Sequence, residues 1–140
     1  VIVDAEKLIS RYLREHEAVA EVCSRIVATQ PGAQTGGTDT PWVRVVELNA
    51  PQQPGSRAEW LVPFLLQFDC YAGKDGGQPE AKLIARTVRE AIHDATGKHA
   101  DGVVTSVRFV GQQHLPDGDL EPARERYILT ATIHAHPAPA

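Results

Sequence analysis

The chain has 140 residues, 42% of them hydrophobic and 23% charged, which suits one globular domain over residues 1–140 and argues against disorder. A net charge of −4 leaves no basic footprint for gripping nucleic acid. No apolar run approaches the roughly 20 residues of a membrane span, so no membrane partner is expected.

The opening stretch VIVDAEKLISRYLREH lacks the long apolar core of a signal peptide, so no export leader is expected. There is no Met, and the initiator is expected to be removed or to lie outside this sequence. Asp4 is placed to cap a helix, because its side-chain oxygen can accept a first-turn N–H. Val3 and Leu8 fit a hydrophobic staple. Leu8, Ile9, Tyr12 and Leu13 then form one helical face. EAVAEVC continues as a second short helical segment, and SRIVAT reads as a short strand ended by Pro31-Gly32. Residues 33–41 show no periodicity and read as a mobile loop.

WVRVVEL (Trp42–Leu48) is a strand by composition and boundaries. A second flexible loop covers residues 50–58. A long strand follows from Glu59 to Ala72. Val62, Phe64, Leu66, Phe68 and Cys70 share one face of it, and Leu61, Pro63, Leu65, Gln67, Asp69 and Tyr71 share the other. Next comes a helix with Pro79 suiting its first position, Glu80 suiting the dipole and Gly97 suiting the carboxyl-terminal cap. Its apolar stripe is Ala81, Ile84, Ala85, Val88, Ala91, Ile92 and Ala95. Strands Gly102–Val110 and Arg126–His136 end the chain, the last alternating cleanly as a strand with one covered and one wet face does. The sum is an α+β, two-layer domain: a mostly antiparallel sheet of about four to five strands with two main helices on one face.

Few residues invite chemistry. GKDGGQPEA joins a strand to a helix, yet it matches neither the dinucleotide fingerprint nor the P-loop, and Asp75 and Glu80 would repel a phosphate. It reads as a turn. Asp117, Asp119 and Glu121 lack the remaining ligands of a calcium loop and read as a polar hairpin tip. His134 and His136 share a strand face, but two ligands are too few for a tight metal site. His93-Asp94 reads as a solvated pair. Cys23 and Cys70 make no disulfide framework and read as reduced core thiols of a protein made in a cytoplasm. No catalytic residue, cofactor or metal is nominated.

One surface does stand out. Leu61, Pro63 and Leu65 make the second face of the long strand too apolar for a solvated sheet. Pro63 has no ladder N–H, so that part of the strand should lie at an edge. Trp60 is a typical interface anchor. Trp60, Leu61 and Pro63, with Arg57 at the rim, are therefore expected to meet a neighbouring subunit or another protein; the alternative is that a second layer of the same chain covers them.

Taken in order, VDAEKLISRYL, TPWVRVVEL, LLQFDCYAG, EAKLIARTVREAI and LPDGDLEPARERYILTATIHAH resemble the tail terminator family of long-tailed double-stranded-DNA bacteriophages, also called tail-completion or tail-to-head joining proteins. The likeness runs from Val3 to His136. It implies an α+β subunit of a homo-hexameric ring in the virion, at the head–tail junction, assembled in the host cytoplasm. Such a ring caps the tail tube protein, ends polymerisation and offers the surface to which a head-completion or connector protein joins. It implies no catalytic residue. DNA would pass through without specific binding, which suits a negative chain, because phosphate binding comes from cationic neutralisation. Two alternatives stay open: another neck component such as a head-completion (stopper) protein, or a small-ligand-binding or hydrolytic domain using the His134/His136 face. The loops at 33–41 and 50–58 are expected to order on assembly.

Overall fold

The computed structural model describes residues 3–28, 39–49, 62–120 and 123–137. Helix α1 spans Ala5–Glu15. Asp4 caps it as expected, accepting the Lys7 N–H at 3.0 Å, and Val3 and Leu8 are both buried. The backbone at His16 is extended, which ends α1 and starts the short helix α2, Glu17–Val22. Strands β1 (Ile26–Val27), β2 (Trp42–Asn49) and β3 (Val62–Tyr71) follow, then α3 (Gly77–His93), β4 (Gly97–His99), β5 (Gly102–His114) and β6 (Arg126–His136).

The strands form one six-stranded sheet in the order β1-β2-β3-β6-β5-β4. β1 runs parallel to β2, and the other neighbours are antiparallel. The α+β class stands, but the expected count of four to five strands is one short and the sheet is mixed. The missed strand is β4, three residues with no alternation to signal it. Gly97, expected to cap the preceding helix, sits in β4 at φ +127, while α3 already stops at His93 with Asp94 as its cap. β5 also runs to His114 rather than Val110, because its last residues are exposed and carry no apolar pattern.

Phe64, Leu66, Phe68 and Cys70 of β3 join Tyr127, Leu129, Ala131, Ile133 and Ala135 of β6 beneath the apolar stripes of α1 and α3. Each fully buried Phe or Leu there contributes roughly 2 kcal/mol. Two polar ties fix α3 over this layer. Tyr12 Oη donates to the Ala91 carbonyl at 2.6 Å, and Gln78 Nε2 donates to Tyr127 Oη at 3.1 Å. The amino end of α3 thus lies beside the start of β6, while Arg89, three turns on, reaches Gln112 of β5.

Candidate functional site

Three amides of the glycine-rich connection are already engaged within the chain. The Gly73 N–H donates to Glu80 Oε1 at 2.6 Å, Lys74 N–H to the Asp39 carbonyl, and Gly76 N–H to the Gly73 carbonyl. Gly77, at φ +66, makes the turn that glycine alone takes without strain. The loop turns the chain into α3.

The other motifs are likewise held by local partners. Asp117 accepts from Tyr71 Oη at 3.1 Å and from the Asp119 N–H, so it braces a hairpin rather than a cation. His134 Nδ1 lies 2.9 Å from Ser106 Oγ, and His136 Nδ1 lies 2.8 Å from the Pro137 carbonyl. Among the described residues no three His, Cys, Asp or Glu side chains gather as a metal set. His93 and Asp94 are 3.5 Å apart and exposed. Cys23 and Cys70 are free and buried, and burial pushes both thiols up, that of Cys70 well above its ordinary value. A thiol held protonated is a poor nucleophile.

More is built on the sheet face turned away from the helices. Trp42 stacks on Tyr71 with centroids 4.2 Å apart, and the Arg126 guanidinium lies 5.5 Å over the same Tyr71 ring. Arg44 donates from Nε and Nη2 to one oxygen of the fully buried Asp69, at 3.1 and 2.7 Å, and Gln67 Nε2 donates to the other at 2.7 Å. Arg126 Nη1 donates to Tyr71 Oη at 3.1 Å, and its Nε donates to the Leu115 carbonyl. Burial raises the Tyr71 phenol above its usual range. This cluster clamps the β5–β6 hairpin onto β3. Nothing in the sequence pairs Arg44 with Asp69, 25 residues apart; only the β2–β3 register brings them opposite.

At the other end of that face sits the surface expected from sequence. Arg57, Trp60 and Leu61 lie outside the described residues, as do 33–38 of the first expected loop and 50–58 of the second. Pro63 is half-buried and pairs with His134. The last β3 residue with a described β2 partner is Leu65, opposite Asn49, so Pro63 has no β2 partner among the described residues. Leu65 is half-buried beside it.

Two surface features went unsignalled. A groove of about 440 Å³ runs between α3 and the outer edge of β5, lined by Arg86, Arg89, Glu90, His93, Asp94 and Phe109. Arg89 covers its Phe109 wall at 5.2 Å from the ring centroid. Large exposed apolar side chains stand at Leu83, one turn before Arg86, and at Leu115 on the hairpin. A second hollow, of about 470 Å³, lies between α1 and β4; its Arg11 is already paired with Glu15 and Asp101.

A family model described as tail completion protein gp17 matches residues 7–133. Among solved structures, the chain resembles one in the virion of a native gene transfer agent particle, with a TM-score of 0.68 at 14% identity, covering 94% of this chain and 93% of that one. At that identity the likeness speaks for the fold. No curated protein sequence matches.

Proposed function

The chain belongs to the tail completion protein gp17 family, structural proteins of the bacteriophage particle, and from that premise we propose that it works as a homo-hexameric ring on the end of the finished tail tube. The ring ends tube polymerisation and presents the surface to which the head-completion or connector protein joins, at the head–tail junction. The family match over residues 7–133 carries this reading. The charge supports it: with −4 per copy, a ring around the DNA path offers no net cationic charge to retain phosphates.

Within this reading Trp60, Leu61 and Pro63, rimmed by Arg57, form a contact with a neighbouring copy or with the tube. The half-buried Pro63 and Leu65 support that placement. Leu61→Asp keeps a soluble subunit with native circular dichroism but stops it assembling or capping tubes, since a buried unpaired charge is tolerated free and not in a joint. Insoluble protein would instead make Leu61 part of the subunit core. Purified subunits are added to tail tubes made without them and viewed in negative stain. Density at one tube end, with tube growth stopped, is the expected result. Binding to the head portal and not to the tube would move the protein to a stopper position in the neck.

A further inference from the structure

The β5–β6 hairpin tip is built more firmly than a solvated turn needs. Asp117 and Arg124 exchange backbone hydrogen bonds across it. Arg126 holds the Leu115 carbonyl, and Tyr71 holds Asp117. With Asp117 and Glu125 engaged by Tyr71 and His114, Asp119 is the described carboxylate of the tip that points out without an ion pair, and it is exposed beside Leu115 and the half-buried Leu120. The described residues of the tip thus form a knob, acidic and apolar, braced by the chain's own contacts, which lowers the ordering cost of binding a partner.

The groove between α3 and β5 has the opposite character. Lys82, Arg86, Arg89 and His93 are spaced four, three and four apart, so they form one stripe on the exposed face of α3. Lys82 and Arg86 carry no ion pair to a described residue. Phe109 supplies apolar surface in the groove, which Glu90 and Asp94 also line, and the exposed Leu83 stands one turn before Arg86.

The hairpin leaves the sheet beyond the His114–Tyr127 pair, beside the amino end of α3, whereas the groove is lined farther along α3 and β5. Its Phe109 wall and Leu115 stand six residues of strand apart, roughly 20 Å. Charge and apolar surface match between two non-overlapping patches of one chain, which is how a head-to-tail contact is made and how a closed ring propagates. Resting on the ring reading above, we infer that the hairpin tip of each subunit seats in the α3–β5 groove of the next, with Asp119 against Arg86 and Leu115 and Leu120 against Leu83 and Phe109.

A charge swap tests this. Arg86→Asp and Asp119→Arg are exposed changes that leave thermal melting as in the wild type, yet each alone weakens self-association at least about ten-fold, because like charges meet at the joint. Sedimentation velocity reads the assembly. Mixing the two variants in equal amounts restores it, since each tip now finds an opposite charge in its neighbour's groove and an even-membered ring can alternate them. The Arg86→Asp, Asp119→Arg double variant assembles alone. Rings that form equally well from each single variant overturn the contact and leave the ring reading standing. Weakened singles with no recovery on mixing also overturn it, and place tip and groove against other proteins. A wild-type chain that stays single at every concentration and salt level counts against both.

Discussion

On the helix side of β3, Phe64, Leu66, Phe68 and Cys70 are at most 2% exposed; on the other side, Pro63, Leu65 and Gln67 are half-buried, and Asp69 and Tyr71 are buried by polar partners. The first face is closed by the chain's own apolar stripes on α1 and α3. The second is closed at one end by the Arg44–Asp69 and Tyr71–Asp117–Arg126 contacts and left half-covered at the end where β3 begins. Apolar packing thus builds the subunit, while directional polar contacts aim its hairpin. At that end Pro63 and Leu65 keep part of their apolar surface open.

Alanine substitution makes the contrast measurable. Phe68→Ala opens a cavity in the helix-side core and lowers unfolding free energy by about 3–5 kcal/mol, whereas Leu65→Ala, on the opposite face of the same strand, costs about 1 kcal/mol in the free subunit. Urea denaturation of both variants checks the pair. Equal losses would mean that the second face is covered by the chain as fully as the first.

Arg44→Ala comes next in size. It strips the buried Asp69 of its two-pronged partner, and although Arg44 is itself part-exposed, a loss of about 2 kcal/mol is expected. Asp69→Asn in the same background returns much of that loss, because an amide does not suffer as an unpaired buried charge does. Failure of the second change to recover stability would show that the pair's hydrogen bonds, rather than the charge, carry the effect.

Tyr71→Phe removes the hydroxyl shared by Arg126 and Asp117 but keeps the stack on Trp42. It costs about 1 kcal/mol, and hydrogen exchange should quicken at residues 115–120 while β2 stays protected. Unchanged exchange at the tip would separate the clamp from the hairpin's rigidity.

Glu47, at the far end of β2, gives the smallest effect. Burial, and then the neighbouring Asp4 and Glu6, raise its carboxyl above the usual range. A carboxyl raised in the folded state favours folding when protonated, so its cost is absent below the ordinary carboxylate pKa and appears as pH rises through the raised one. Glu47→Gln therefore stabilises the chain by roughly a few tenths of a kcal/mol near pH 7, and the gain vanishes near pH 4. A gain of the same size at both pH values would assign it to packing.

The sequence announces some of this plainly and hides the rest for physical reasons. β6 is legible because Tyr127, Leu129, Ala131, Ile133 and Ala135 alternate with mostly polar residues along its eleven positions, and α1 because Asp4 and the Leu8–Leu13 stripe agree. The helix-side face of β3 is legible for the same reason. β4 is silent because an edge strand of three residues packs too little to need a pattern. The outer half of β5 is silent because its side chains stay wet. The groove and the knob belong to no local signal at all: Arg89 meets Phe109, and Tyr71 meets Asp117, only once the strand order is set. The Arg57–Pro63 surface is expected from an excess of apolar residues on one face, and of its members Pro63 alone stands within the described chain.

The central claim is that this subunit is finished only by its neighbours. Native mass spectrometry of the untagged wild-type chain at low ionic strength tests it most directly. The account predicts a dominant species of six copies of the 15.2 kDa chain, falling apart to single subunits as salt is raised. A single 15.2 kDa species at every concentration and ionic strength, folded and cooperative in melting, would contradict it.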